Sequence, residues 1–331
     1  METEFYQDLL DQISDGVYVV TRDRRITYWN GGAERITGFI AEDVLGHRCS
    51  EGMLRHIDDA GRQLCLYGCP LAAVMKDGKP REALVYLHHK DGHRVSVTVR
   101  GSALRNRAGA ITGSVEIFSS RTSNHYAVQR RLDTDDWLDP VTGLPPRRLG
   151  ELNLQTLMRA VAEGVTSLGV LFIDADHFKN INDSLGHKTG DDVLRMVAQS
   201  TVNGLRHSDI PIRWGGDEFL VLLPGIDQAG LLATAERVRI LVENSWIQDG
   251  EAQARVSVSV GATMALPAET VDDVVDRADR LMYASKHGGR NRGTTDTGEL
   301  ARTSERPAAG AGMPGACDMD GIGCAELKLQ G

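Results

Sequence analysis

The sequence of 331 residues has no apolar run near the roughly 20 residues that a bilayer-crossing helix needs. Its first residues, METEFYQDLLDQI, are acidic and amphipathic and lack the layout of a secretory signal. Basic residues are in the minority, 37 Lys and Arg against 46 Asp and Glu, for a formal net charge of −9. A general nucleic-acid binder needs the opposite balance. Cysteines are few and odd in number, five in all, so a disulfide framework is not expected. No internal repeat is visible. These absences argue against a membrane span, a secreted disulfide scaffold and a nucleic-acid partner, and leave a cytoplasmic globular protein as the expectation.

What is present fits that expectation. Hydrophobic residues make up 41% and charged residues 25%, a globular balance, and the length accommodates two domains. Residues 5–120 read as α+β: a short helix, strands near 16–20 and 26–29, helical turns, then strands near 82–88, 94–100 and 111–119. Asp91-Gly92 between two of these runs is a hairpin signal. Residues 120–138 are polar with sparse apolar points at Tyr126, Leu132 and Trp137, a pattern for a connecting helix. Pro140 disfavours helix at Asp139, where a second unit starts.

In that unit LGVLFI (168–173) is a continuous apolar run, as in a buried strand. Leu194, Val197, Ala198, Thr201 and Leu205 follow helical spacing, as do Leu231, Ala235, Val238 and Val242. Residues 219–223 and 255–263 are strand-like, and 271–287 form a helical pattern ended by Gly288-Gly289. From Gly293 to residue 331 the chain is rich in Gly, Ala, Thr and Pro, and disorder is expected.

Two segments carry chemistry. Arg213-Trp-Gly-Gly-Asp-Glu-Phe219 sits between apolar runs and reads as a tight hairpin, since glycine takes positive φ without steric cost. Two carboxylates follow the turn, where a metal-bound phosphate could lie; a solvated hairpin tip is the plain alternative. Phe172-Ile-Asp-Ala-Asp176 closes the buried strand, and two aspartates two apart can share one face. Such oxygen donors suit Mg²⁺, which takes one or two carboxylates plus substrate phosphates. A single helix-capping Asp would need no such density of Asp, Asn and His.

The segments DPVTGLPPRR (139–148), FIDADHFKNINDSLGHKTGDDVL (172–194), RWGGDEF (213–219), VSVSVGAT (256–263) and ADRLMYASKHGGRNR (278–292) resemble, in order, the sequence blocks of the GGDEF diguanylate cyclases. The resemblance covers residues 139–292 and implies an antiparallel sheet flanked by helices, similar to nucleotidyl cyclases and polymerase palm domains. It implies that two GTP are condensed to cyclic di-GMP with release of pyrophosphate. It also implies roles. Asp174 and Asp217, with the carbonyl of Ala175, match the metal ligands for Mg²⁺, with Mn²⁺ as a substitute. Asp217 and Glu218 match the catalytic pair. Asn182 and Asp191 match the guanine contacts, and Lys179, Lys286 and Arg290 the phosphate contacts. His187 lies beside them, as a substrate contact or a structural hydrogen-bonder. Lys286 and Arg290 would also complement a helix dipole. Phe172 and Phe219 are assigned to the core. Pro146 departs from the family, which usually has Asn there; altered local backbone rather than lost activity is expected.

Arg206-His-Ser-Asp209 matches the family's RxxD product-inhibition site in sequence and in spacing from the hairpin. Arg206 offers a planar fork to guanine or phosphate, and Asp209 an acceptor for the guanine edge. DGVYVVTRDRRITYWNGGAERITGFIAEDVLG (15–46), HKDGHRVSVTVRGSAL (89–104) and AITGSVEIF (110–118) resemble a PAS domain. That implies a five-stranded antiparallel sheet with helices around a possible ligand cavity, the ligand unnamed. Within it Cys49, His56, Cys65 and Cys69 could form a Cys₃His metal site or a redox sensor; small buried cysteines and a surface histidine are the plainer reading. The division is a PAS sensor at 1–120, a signalling helix at 121–138, the cyclase at 139–292 and a loose tail at 293–331. The family places one GTP in each catalytic domain, so a homodimer is expected for catalysis. A nucleotide receptor without turnover, or a scaffold acting through PAS contacts, are the rival readings; intact Asp174, Asp217 and Glu218 oppose the first.

Overall fold

The computed structural model describes residues 2–120, 138–250 and 252–300. The expected connecting helix, apart from residue 138, and the Cys317 and Cys324 region lie outside the described residues.

The N-terminal unit starts with α1 (Glu2–Asp11) and builds one antiparallel sheet in the order β2-β1-β5-β4-β3. Its strands are β1 (Gly16–Thr21), β2 (Ile26–Trp29), β3 (Arg81–His88), β4 (Arg94–Arg105) and β5 (Ile111–Ser120). Three short helices, α2 (Gly31–Thr37), α3 (Ala41–Val44) and α4 (Pro70–Asp77), lie between β2 and β3. Tyr18, Trp29 and Phe118 form an aromatic cluster in its core, and a Cβ on Gly16 would stand 2.2 Å from the Phe118 ring. Asn30 joins the pieces. Its Oδ1 accepts from Ala33 N at 2.8 Å, capping α2, and from Val17 N on β1 at 2.7 Å, while its amide donates to Leu10 and Asp15 carbonyls.

The C-terminal unit centres on a six-stranded sheet in the order β13-β12-β11-β6-β8-β7. The strands are β6 (Leu168–Ala175), β7 (Ile210–Gly215), β8 (Glu218–Pro224), β11 (Val258–Met264), β12 (Gly293–Thr295) and β13 (Gly298–Glu299); β9 (Ile247–Asp249) and β10 (Ala252–Ala254) pair separately. β6 is buried along its whole length because helices cover both faces. Leu171, Ile173 and Ala175 face α6 (Phe178–Asn203) and α7 (Gln228–Glu243). Val170 and Phe172 face α5 (Arg147–Ala162) and α8 (Val271–His287). Each such side chain contributes about 1.5–3 kcal/mol of transfer free energy. β6 runs antiparallel to β8 and β11, but β11 and β12 are parallel, so the sheet is mixed rather than wholly antiparallel.

Residues 293–300, expected to be loose, belong to the sheet, and residues 301–331 lie outside the described residues. Gly293–Thr295 adds a strand beside β11, and Leu300 folds back over Gly293, where a Cβ would lie 2.1 Å from Leu300 Cδ1. Composition alone pointed to disorder; backbone pairing and one buried leucine hold these residues in the sheet.

The two units meet along a seam of mixed chemistry. Trp246, just after α7, stacks on His88 of β3 with ring centroids 3.6 Å apart, and its N–H donates to Gly92 O. The guanidinium of buried Arg94 donates to Asn244 O at 2.8 and 3.0 Å. The backbone N–H of Arg94 reaches Ser200 Oγ at 3.3 Å, and Ser96 N reaches Asn203 Oδ1 at 3.3 Å. Ile57, Tyr86 and Leu241 add an apolar contact.

Candidate active site

Alternation along β6 and β8 decides which side chains converge. Residues 170 and 172 of β6 and residues 220 and 222 of β8 face α8, so Asp174 and Glu218 share that face. The register pairs them directly across the two strands. The hairpin turn itself is Gly216-Asp217: Gly215 still pairs with Glu218, and only Gly216 takes positive φ, at 52°. Arg213 braces the turn by donating to Gly216 O at 2.8 Å, and its other nitrogen pairs with Asp139 at 2.7 Å. The Ala175 N–H donates to Asp217 O at 3.2 Å, which draws the turn against the end of β6.

The result is a carboxylate cluster on one face with a cation in it. Lys286, in the last turn of α8, stands 2.6 Å from Asp174 Oδ2. Burial pushes Asp174 up to about 6; the Lys286 hydrogen bond opposes this, and the charges on Asp217 and Glu218 add to it. Burial also raises Glu218, with Asp217 and then Asp279 adding and Lys286 and Arg147 opposing. Among the described residues no three His, Cys, Asp or Glu side chains already meet at one point. The donor set still fits Mg²⁺, because that ion commonly takes one or two carboxylates and completes its shell with water and phosphate oxygens. Burial is the main cause of the rise of Asp174 and the carboxylates of Asp217 and Glu218 add to it, so a cation held there would favour the ionised form.

α8 approaches closely enough to deliver Lys286 because Gly261 of β11 has no side chain; a Cβ there would lie 2.0 Å from Ala278 O. A capping box, Thr270 with Asp273, starts α8.

On the other side, α6 is two helices meeting at Gly186, whose φ of 84° and ψ of 162° are non-helical. Asn182 precedes this break and Asp191 follows it. The Asn182 amide lies against Gly190, where a Cβ would be 1.9 Å from its Oδ1. Asp191, Lys179 and His187 are exposed. Arg290 is half-buried with a left-handed backbone, φ 61°.

Asp176 is already engaged by the neighbouring strand. Its carboxylate accepts from Ser257 Oγ and Ser259 Oγ, each at 2.7 Å, and from Asn291 N at 3.0 Å. It therefore ties β6 to β11 and to the loop that bears Arg290. Asn291 is held in turn by Arg239 Nη1 at 2.7 Å and by Glu243 Oε1 at 3.0 Å. Sequence reading missed these positioning residues: an Asp next to metal-type Asp174 carries the same signal, and only the strand partner tells them apart. The seam residues, far apart in the chain, gave no local pattern either.

In the RxxD segment Arg206 is exposed, whereas Asp209 is buried and already accepts from Arg206 N at 2.8 Å and Ser208 Oγ at 3.3 Å. Burial raises Asp209, opposed by the Arg206 amide. Phe172 and Phe219 are core residues as expected. Pro146 caps the start of α5 in extended conformation with no side-chain hydrogen bond.

Comparison with known proteins places both domains among described families. Residues 136–292 match the family "Diguanylate cyclase, GGDEF domain", and residues 10–125 match a PAS fold. The chain is 31% identical over 320 residues to the probable diguanylate cyclase DgcE of Escherichia coli, covering 93% of this chain and 28% of that protein. It is 37% identical over 156 residues to the response regulator PleD of Caulobacter vibrioides, covering 46% of this chain and 34% of that one. The chain thus spans about a third of the length of these curated relatives. Among solved structures, the coiled coil and GGDEF domain of DgcB from Caulobacter crescentus, in complex with c-di-GMP, aligns at 31% identity and a TM-score of 0.47, over 51% of this chain and 90% of that one. Among the described residues no helix is long and apolar enough to cross a membrane. The chain belongs to the GGDEF family and carries a PAS-fold domain on the N-terminal side of its GGDEF domain.

Proposed function

We propose that this chain is a diguanylate cyclase that joins two GTP molecules into cyclic di-GMP and releases pyrophosphate. The observation that carries the reading is the gathering of Asp174, Asp217, Glu218 and Lys286 at one sheet face. Asp174 and Asp217, with the Ala175 carbonyl, would hold Mg²⁺ or Mn²⁺. Bound there, the metal supplies Lewis acidity toward phosphate oxygens and lowers the pKa of a coordinated hydroxyl.

The protein's own groups do the rest. The 3′-hydroxyl of one GTP attacks the α-phosphorus of the other and the bond to pyrophosphate breaks; the reciprocal attack then closes the ring and releases a second pyrophosphate. Asp217, with Glu218 beside it, takes the proton from that hydroxyl, and the raised Glu218 is a stronger base than an ordinary carboxylate. Lys179, Lys286 and Arg290 offset charge on the leaving pyrophosphate. Asn182 and Asp191 select guanine, because a carboxylate accepts from both N1–H and the exocyclic amine, a donor pair adenine lacks. Lys286 leaves Asp174 to reach phosphate, so one ammonium serves both the resting and the loaded site. His187 remains a neighbour of this pocket without an assigned step.

Each domain presents one such half-site, so two chains face each other in the working state. The PAS-fold domain regulates this pairing, and cyclic di-GMP feeds back at Arg206 and Asp209. Because Asp209 is buried in local hydrogen bonds, Arg206 supplies most of the exposed contact. Incubation of purified protein with GTP and Mg²⁺ is expected to yield cyclic di-GMP; no product, with nucleotide bound, would favour a receptor. Loss of product inhibition in Arg206→Ala tests the feedback site, and unchanged inhibition removes it.

A further inference from the structure

The PAS-fold domain holds a cluster of ligating side chains that the cyclase chemistry does not use. Cys49, His56, Cys65 and Cys69 line one cavity of about 10 Å³, with Tyr18, Arg24 and Glu116 among its other walls. That is the room of about one water-sized sphere, too little for a flavin, a haem or a nucleotide and enough for an ion. The three thiols are free rather than paired as disulfides. Cys65 Sγ is 3.9 Å from His56 Nδ1. Two ligands of one tetrahedral ion, at about 2.3 Å for sulfur and 2.0–2.1 Å for nitrogen, stand about 3.6 Å apart.

We propose that Cys49, His56, Cys65 and Cys69 form a binding site for a single thiophilic transition-metal ion, with Zn²⁺ as the reference occupant.

The charges suit such an ion. Three thiolates and a neutral imidazole around a divalent ion carry one net negative charge. Arg24 lines the cavity and donates to the Cys65 carbonyl at 3.3 Å, placing a compensating cation at its wall. A bound cation would displace the protons of the three thiols.

Among the described residues no three ligands already meet at one point, so binding requires the thiols to close onto the ion. They sit in a segment of successive turns. Gly46, Gly52, Gly61 and Gly68 all take positive φ between the end of α3 and Cys69, which immediately precedes α4.

The test uses the full chain in a Cys317→Ser/Cys324→Ser background, reduced and stripped with a chelator, then titrated with Co²⁺ and afterwards Zn²⁺. The expected result is one equivalent of Co²⁺ with intense sulfur-to-cobalt charge transfer, displaced by Zn²⁺ with proton release. The band should be lost in Cys49→Ser/Cys65→Ser/Cys69→Ser and weakened in His56→Gln, with far-UV circular dichroism reporting the fold. Absence of the charge-transfer band in the parent chain overturns the proposal, whether or not the triple variant folds. A band that survives in a folded triple variant overturns it as well. Cobalt held by the cyclase carboxylates gives no sulfur band, so this outcome is independent of GTP turnover.

Discussion

The two domains solve opposite problems with charge. In the GGDEF domain carboxylates are brought together where β6 and β8 end, with Lys286 as the nearby counter-ion. In the PAS-fold domain several ionisable groups are buried instead: burial pushes Glu116 up to about 7 while it accepts a hydrogen bond from Tyr18 at 2.8 Å, and favours the neutral forms of His56, Cys49 and Cys65. Clustered charge waits for a metal-bound polyphosphate, and neutral, soft donors wait for something smaller. The seam between them belongs to neither pattern, since it combines a stacked aromatic pair with a buried guanidinium satisfied by backbone carbonyls.

The contrast is broken most severely at the hairpin. Asp217→Ala should lower GTP turnover by roughly 10³-fold or more and leave the unfolding midpoint near wild type, as read by product formation and urea titration. Next in size is the seam. Trp246→Ala removes a buried aromatic and should cost about 3–5 kcal/mol. A single unfolding transition that remains single and unshifted would show that the two domains are not energetically joined there.

Gly261→Ala sharpens the comparison inside the GGDEF domain. Its Cβ would meet Ala278 O and Met282 N within 2.3 Å, so α8 must back away, at a cost of about 2–3 kcal/mol. Turnover should fall with stability, because Lys286 moves with the helix, whereas Asp217→Ala separates the two readouts. The smallest effect is a pH slope. Burial pushes His88 down to about 2, with Arg94 and Arg55 adding. Unfolded His88 takes up a proton below its ordinary value of 6.5 while the folded residue does not, so stability present above 6.5 is lost as pH falls. About 2 kcal/mol should disappear by about pH 5. Urea midpoints of His88→Phe should show a slope shallower by that amount, the rest coming from His56, His89 and His93, which burial also holds down.

Much of the GGDEF domain was readable because its signals are local. A buried strand is an apolar run, a hairpin is Gly-Gly between apolar runs, and a helix end is Gly288 after Lys286 and His287. Where a signal is not local, the sequence misleads or is silent. Asp174 and Asp176 look alike until the partners of each are known: Lys286 for one, Ser257 and Ser259 for the other. Gly293–Leu300 reads as loose by composition yet pairs with β11, because parallel strand addition needs backbone more than side chains. The cavity thiols of the PAS-fold domain come from separate loops whose closure no spacing rule predicts.

One consequence lies in the continuity of α6. Ser200 and Asn203, which grip the backbone of β4, sit on the same helical rod as Asp191, with no break between them. At 1.5 Å per residue the nine steps from Asp191 to Ser200 span about 14 Å. The break at Gly186 lies beyond, between that rod and Asn182. A tilt imposed at the β4 end would therefore swing the far end as a stiff lever, and the glycine joint would absorb it by changing the angle between Asp191 and Asn182, the pair proposed to hold the base.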